Sequence, residues 1–180
     1  TNAERPAQDI VITGGIWNCN NIEQAPNPIK SEISSLSHMS GDPDYVATYE
    51  LIGHLGVGMT FDHVDRFTIR DLTVKNPVTF SMRMAYMTHF TVENIRFDQN
   101  LGNPTAENMD GIHVDGGCHY GCIRNVQGTC YDDIVALNAD DCYDGPISNI
   151  EIDGVFGENS LRGVRLLATK SEIKNVTVSN

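Results

Sequence analysis

The chain has 180 residues and carries 24 acidic against 12 basic residues, which gives a formal net charge of −12. Nucleic-acid binding requires a basic surface, so this balance argues against a nucleic-acid partner. Hydrophobic residues make up 40% of the sequence but form no run long enough to cross a membrane, and the length predicts a single domain.

The first predicted element is a pair of short strands. Residues 9–13 and 16–17 are mostly apolar and flank Gly14-Gly15, which predicts two strands joined by a glycine turn. Residues 18 to about 55 then break the pattern with three prolines, a serine-rich stretch and little alternation. Such a long irregular stretch inside a repeat is commonly functional, so we predict an insertion that either walls a groove or forms a surface loop.

Beyond the insertion, one phrase recurs five times: an aliphatic residue, any residue, Asn or Asp, and an aliphatic residue. The copies begin 23, 31, 24 and 26 residues apart, at Ile69, Val92, Ile123, Ile147 and Ile173. Units of this length cannot enclose separate cores and must stack on one another. We therefore predict an all-β parallel β-helix over residues 1–180, with roughly seven coils of about 25 residues each, as part of a longer chain.

The Asn or Asp of each copy has a predicted structural role. At a turn these side chains tolerate the left-handed backbone and can hydrogen-bond to the next coil. We predict one ladder of stacked side chains: Asp71, Asn94, Asn125, Asn149 and Asn175.

A second strand precedes the phrase in each coil, around residues 59–61, 81–84, 111–114, 133–137 and 163–166. Alternation predicts these inward side chains: Met82, Met84, Ile112, Val114, Ile134, Ala136, Val164 and Leu166. If Ile112, Ile134 and Val164 lie side by side in neighbouring strands, the residues around them stack from coil to coil in three columns. These columns are Asp110 with Asp132 and Arg162, Gly111 with Asp133 and Gly163, and His113 with Val135 and Arg165. Polar side chains thus concentrate on one face, which is the predicted site.

Three carboxylates, Asp110, Asp132 and Asp133, fall on adjacent predicted coils. Cleavage of a glycosidic bond needs one protonated carboxyl group for the leaving oxygen and a carboxylate that activates water or attacks carbon. Carboxylates a few ångströms apart cannot all ionise normally, so one stays protonated. The alternative is that these residues only form turns, and that Asp140, Asp141 and Asp144 form turns or a loose calcium site.

The motifs resemble a known family. Asn-x-Asp-Gly at 108–111, Asp-Asp-Ile-Val-Ala-Leu-Asn at 132–138 and Gly-Val-Arg at 163–165 resemble glycoside hydrolase family 28, the polygalacturonases and rhamnogalacturonases. The resemblance covers roughly residues 57–180. It implies a right-handed single-stranded parallel β-helix (a pectin-lyase-like solenoid) and a pectin-type or related substrate. It also implies that Asp132 is the general acid and that Asp110 and Asp133 activate water, with inversion at the anomeric carbon.

Two basic features of that family are missing. Residues 139–160 contain no histidine to match its Gly-His-Gly, and its Arg-x-Lys reads Arg165-Leu166-Leu167. These residues bind a uronic acid in polygalacturonases, so hydrolysis is better supported than galacturonan as the substrate. We expect five side chains to contact the carbohydrate, with His113 standing in for the missing imidazole: His113, Arg162, Arg165, Arg83 and Asn108.

Two other functional classes stay open. One is a non-catalytic carbohydrate-binding or tailspike-like β-helix, and the other is a polysaccharide lyase or epimerase, in which Arg162 could act near Asp110. In each, the partner is an oligo- or polysaccharide, and we predict no cofactor or metal. The odd number of cysteines without zinc-like spacing predicts buried thiols rather than disulfides. The compartment stays open, with an extracellular location slightly favoured.

Overall fold

The computed structural model of the protein describes residues 6–27, 56–103, 105–141 and 143–180. Within these ranges the chain forms twelve β-strands and a short 3₁₀ turn at Asn21–Glu23, with no α-helix, which confirms the all-β prediction. The strands are β1 (Ala7–Thr13), β2 (Ile16–Asn18), β3 (Met59–Asp62), β4 (Val64–Lys75), β5 (Met82–Ala85), β6 (Thr88–Asp98), β7 (Ile112–Val114), β8 (His119–Thr129), β9 (Asp133–Asn138), β10 (Ile147–Glu158), β11 (Arg162–Leu167) and β12 (Ile173–Ser179).

Among the described residues, the strands form two parallel sheets, one of seven and one of five strands. The larger sheet has the order β1-β4-β6-β8-β10-β12, with β2 also beside β4, and the smaller sheet has the order β3-β5-β7-β9-β11. From β3 to β12, short and long strands alternate along the chain, so each coil adds one strand to each sheet and pairs with the coil before it. This is the parallel β-helix that the repeat predicted.

The core lies between the two sheets. The long strands contribute buried aromatic side chains such as Phe67, Phe90 and Phe97, and the short strands contribute Met82 and Met84. Each such side chain, when fully buried, stabilises the fold by about 1.5–3 kcal/mol. Because the core takes up one face of each short strand, the other face is left for polar groups.

The long strands bend at residues with a left-handed backbone. In β6 these are His89 and Asn94, and in β8 they are Tyr120 and Asn125, with φ between 49° and 57°. The two bends lie five residues apart in each strand, so they stack into two separate columns. Asn suits such positions because its short polar side chain can hydrogen-bond locally.

The first three members of the predicted ladder are confirmed. Nδ2 of Asn94 donates to Oδ1 of Asp71 at 2.8 Å, and Nδ2 of Asn125 donates to Oδ1 of Asn94 at 2.7 Å. The prediction that Asn149 and Asn175 continue this ladder is wrong. In β10 the residue level with Asn125 is Gly154, which has φ of 72°.

Asn149 lies instead in the other column of bends, level with Tyr120. There, Nδ2 of Asn175 donates to Oδ1 of Asn149 at 3.1 Å. The error has a physical cause: both bends need a left-handed residue between inward apolar neighbours, so both attract the same local phrase.

The smaller sheet is shifted by one residue from the predicted register. Ile112 pairs with Val135, and Val135 with Val164, so Asp133 rather than Asp132 lies level with Arg162. The first two predicted columns are therefore wrong in the residue that β9 contributes to each. His113 and Arg165 do share a column, but Ala136 takes the place predicted for Val135.

The register error also changes the inward residues of β9. Val135 and Leu137 join the apolar core, whereas Ala136 lies in the column of His113. Leu166 is half exposed in β11. Alternation could not fix this register, because every side chain of β9 is buried and the run Ile-Val-Ala-Leu is apolar throughout.

Most of the predicted insertion, residues 28–55, lies outside the described residues, so its role as a wall stays a prediction. Its described beginning contacts the segment that leads to Asp110. The backbone N–H of Asn27 donates to the carbonyl of Asn103 at 2.6 Å, and its Nδ2 donates to the carbonyl of Glu107 at 2.7 Å.

The four cysteines in the described part of the chain are free thiols. Cys118 and Cys130 are buried as predicted, whereas Cys19 and Cys122 are only partly buried, and Cys142 lies outside the described residues. Burial raises the pKa of the Cys118 thiol to about 12, so this group is unreactive near neutral pH.

No helix among the described residues is long and apolar enough to cross a membrane.

Candidate active site

Three carboxyl groups come together where two successive coils enter the smaller sheet. Asp110 lies just before β7, and Asp132 and Asp133 lie at the start of β9. One carboxylate oxygen from each lies within 4.8 Å of the others. The backbone N–H of Asp133 donates to Oδ1 of Asp110 at 3.0 Å, and that of Gly111 donates to the Asp133 carbonyl at 2.9 Å. The two coils are thus joined at the site itself.

The three carboxyl groups differ in exposure. Asp110 and Asp133 are buried, whereas 19% of the Asp132 side chain is exposed. Burial, followed by the charges of Asp110 and Asp133, raises the pKa of Asp132 to about 6, although Arg165 and Arg162 act in the opposite direction. Asp132 is therefore a carboxyl group that can carry a proton at mildly acidic pH and faces the solvent.

Two arginines offset the negative charge. Nη1 of Arg162 lies 3.1 Å from Oδ1 of Asp133 and 3.9 Å from Oδ1 of Asp132, and Nη1 of Arg165 lies 3.4 Å from Oδ2 of Asp133. Their side chains are 49% and 35% exposed. The guanidinium groups can therefore hold Asp133 and still present N–H donors to a ligand.

The same three carboxylate oxygens are close enough to share one cation. A hard cation such as Ca²⁺ needs six to eight oxygen ligands, whereas both oxygens of Asp133 already face guanidinium groups. The positive charge that the cluster needs is thus supplied by arginine, an arrangement that suits acid–base chemistry better than cation binding.

The side chains of His113 and Arg83 lie beneath this cluster. Nδ1 of His113 is 2.6 Å from Oδ2 of Asp110, its Nε2 is 3.3 Å from Oδ1 of Asp115, and Nε of Arg83 donates to Oδ2 of Asp115 at 2.6 Å. All four residues are buried. The expected direct contact of His113 and Arg83 with a sugar does not fit this burial, because a ligand at the surface cannot reach either side chain.

The pKa of His113 reflects two opposing effects. Burial alone would lower it, but the hydrogen bond to Asp110 and the charges of Asp110 and Asp115 raise it to about 10. The raised pKa favours the imidazolium form of His113, in which both ring nitrogens carry a proton. Asp141 adds a third carboxylate, with Oδ2 3.5 Å from Nε2.

Two members of this group were not predicted from the sequence. Asp115 follows His113 by two residues, so the period of a strand could have identified it as lying on the same face. Phe80 stacks on the His113 ring with a centroid distance of 3.9 Å and an interplanar angle of 14°. Its position one coil away gave no sequence signal.

The remaining predicted residues have simpler environments. Asn108 is partly exposed, with φ of 53°, in the turn that leads to Asp110. Asp140 accepts hydrogen bonds from the backbone of residues 169–171, and bonds from Ser171, Lys170 and Thr169 hold its pKa well below the usual range. Asp144 pairs with Lys170 at 3.4 Å. These contacts correspond to the turn interpretation of Asp140 and Asp144 rather than to a calcium site.

Strand β9 pairs directly with β11, which puts the Asp pair and Arg165 on adjacent coils. The chain thus passes from the Asp pair to Arg165 within a single turn of the helix, and residues 139–160 along this turn contain no histidine.

Comparison with known proteins gives one match. The profile of the glycosyl hydrolases family 28 matches residues 55–180, more than two thirds of the chain. This range contains Asp110, Asp132, Asp133 and both arginines of the cluster, and it confirms the resemblance and the right-handed β-helix expected from it. No curated protein and no solved structure matches the chain.

Proposed function

The chain belongs to glycosyl hydrolase family 28, and we propose that it hydrolyses a glycosidic bond in a pectin-type polysaccharide, with Asp132 as the general acid. One observation carries the assignment of the acid. Of the three clustered carboxyl groups, Asp132 alone is partly exposed to solvent, and its pKa is raised to about 6. A general acid must reach the leaving oxygen and still hold a proton at the working pH.

The same proposal gives Asp110 and Asp133 the task of activating water. Each lies beside cationic groups, His113 for Asp110 and the two arginines for Asp133. Asp132 transfers its proton to the glycosidic oxygen as the bond from that oxygen to the anomeric carbon breaks. Water attacks the carbon and loses its proton to the Asp110 and Asp133 pair.

We further propose that the reaction inverts the anomeric carbon. Asp110 and Asp133 are buried and their oxygens are held by donors, so a small water molecule reaches the sugar more easily than either carboxylate could. The spacing itself points the other way, since oxygens within 4.8 Å are closer than the ~6.5–9.5 Å common among inverting enzymes. Proton NMR of the first product therefore tests this step sharply. Inversion requires an anomeric configuration opposite to that of the substrate.

The arginines support a pectin-type substrate. A net charge of −12 repels a polyanion in general, so an acidic sugar would need local cations. Arg162 and Arg165 supply these, and their exposed N–H groups can hold a carboxylate or a pair of hydroxyl groups.

The test is release of reducing ends from a panel of plant polysaccharides: homogalacturonan, rhamnogalacturonan and neutral arabinan, galactan and xylan. Asp132→Asn is the negative control. Release from a pectic member supports the proposal, and an unsaturated product with ultraviolet absorbance would identify a lyase instead. Binding to the polymer without cleavage would favour the carbohydrate-binding interpretation.

A further inference from the structure

A buried chain of alternating charges runs away from the site, through Asp110, His113, Asp115 and Arg83. We propose that His113 is a positioning residue, which fixes the carboxylate of Asp110 for catalysis from beneath the substrate surface. This inference rests on the proposed hydrolysis, and it gives His113 a role other than sugar contact.

Both oxygens of Asp110 are held, from different directions. Oδ2 accepts from Nδ1 of His113 at 2.6 Å, and Oδ1 accepts from the backbone N–H of Asp133 at 3.0 Å. Two donors on two oxygens fix the plane of a carboxylate, whereas one donor leaves it free to rotate. Without His113, Asp110 would keep only the donor from the next coil.

The imidazole ring is held by the hydrogen bond at Nδ1, by a nearby carboxylate on its Nε2 side and by a stacked ring on one face. Its Nε2 side faces Oδ1 of Asp115 at 3.3 Å, and Asp115 is in turn held by Arg83 at 2.6 Å. The Phe80 ring covers one face of the imidazole at a centroid distance of 3.9 Å. A side chain held in this way transmits its orientation to Asp110 with little freedom.

The burial of these charges also favours a functional role. Placing charged groups in the protein interior is costly, and apolar residues of similar size often stabilise a core at least as well. Here one further carboxylate, that of Asp115, and two cationic side chains, those of His113 and Arg83, are buried next to the carboxylates of the site. Three carboxylates face the imidazole: Asp110, Asp115 and Asp141. Further from the ring, Arg83 lies beside Asp115, and Asp132 and Asp133 lie beside Asp110.

The experiment compares His113→Ala and His113→Asn with the parent protein, on a polysaccharide that the parent cleaves. Misplacing a catalytic group by about 1 Å can cost about 10²-fold in rate, so His113→Ala should lower kcat by about that factor and change KM little. In His113→Asn the side-chain amide can replace Nδ1 as a donor to Asp110, so part of the rate should return.

The pH–rate profile separates positioning from general damage to the fold. A carboxylate that loses a neighbouring cation binds a proton more readily, so the acidic limb should move to higher pH in both variants. The control is His89→Ala, because Nδ1 of His89 also faces a carboxylate, that of Asp65 at 2.9 Å, but is exposed and remote from the cluster. Its profile should match that of the parent.

The outcomes distinguish the two proposals. If the parent cleaves no polysaccharide, the proposed function fails. If the parent is active and folded His113→Ala keeps both its kcat and its acidic limb, the positioning role of His113 is refuted. Should His113→Ala fail to fold, His113→Asn decides the matter, and an unmoved acidic limb in that variant overturns the inference.

Discussion

The backbone N–H of Asp133 donates a 3.0 Å hydrogen bond to Oδ1 of Asp110, so the main chain of one coil orients a side chain of the coil before it. In a parallel β-helix, neighbouring coils are separated by one strand spacing of about 4.8 Å. The carboxylate oxygens of the cluster lie within that same distance of one another. The stacking of the two coils therefore brings the Asp110 side chain next to Asp133.

The first prediction concerns Asp132→Asn. The amide keeps the shape of the carboxyl group but cannot donate an acidic proton, so kcat should fall by roughly 10²- to 10⁴-fold. Asp98→Asn is a matched control, since Asp98 is paired with Lys75 on the seven-stranded sheet and lies outside the cluster. Unchanged turnover in Asp132→Asn would remove this residue from the mechanism.

The same substitution should stabilise the protein at neutral pH. The pKa of Asp132 is about 6 in the folded protein and 3.8 in the reference state, so the folded protein binds a proton at Asp132 more tightly than the unfolded chain does. The stability that this proton contributes is fully present below pH 3.8 and is lost as the pH rises through about 6. Asp132→Asn should thus raise the free energy of unfolding at pH 7 by about 1–3 kcal/mol and leave it nearly unchanged at pH 3. Urea denaturation at the two pH values measures the difference.

The second prediction concerns the alkaline limb of the pH–rate profile. Since Asp132 must be protonated to act as an acid, kcat/KM should fall as the pH rises through about 6. The charge of Arg165 lowers the pKa of Asp132, so Arg165→Ala should move this limb to higher pH. It should also raise KM, because a donor that holds the bound sugar is lost.

Arg124→Ala is the control for Arg165→Ala. Arg124 is an exposed arginine that pairs with Glu93 at 2.7 Å on the seven-stranded sheet, and its removal should leave both the limb and KM unchanged. An alkaline limb that stays in place in Arg165→Ala would contradict the assignment of that limb to Asp132.

The sequence predicted the architecture because the repeat is a property of the backbone. A recurring phrase with inward aliphatic residues can be buried in only one way, by stacking. It could not predict where Asn149 lies, because the two bends five residues apart accept the same phrase and only pairing between coils distinguishes them. The predicted register of β9 was wrong for a related reason, because Ile-Val-Ala-Leu contains no polar side chain that would mark the outer face of the strand.

For the candidate site, the sequence identified the three clustered carboxyl groups but not how deeply the residues around them are buried. Asp110, Asp132 and Asp133 are brought together as expected, because adjacent coils place their entry turns side by side. The burial of His113 and Arg83 depends in part on groups from other coils, namely Phe80 against His113 and Asp115 beside Arg83. Such a network is formed by tertiary packing, and a spacing along one chain segment does not reveal it.

The last prediction concerns the Asn ladder, through Asn94 in its middle. Asn94 donates to Asp71 and accepts from Asn125, and its φ of 54° is unfavourable for most side chains. Asn94→Ala loses both hydrogen bonds and keeps the strained backbone, which together should cost about 2 kcal/mol in the free energy of unfolding. Asn94→Gly loses the same hydrogen bonds without the strain, so it should cost about 1 kcal/mol less. Urea denaturation of both variants separates the two contributions. If the alanine variant is as stable as the parent, the ladder is a consequence of the fold and does not stabilise it.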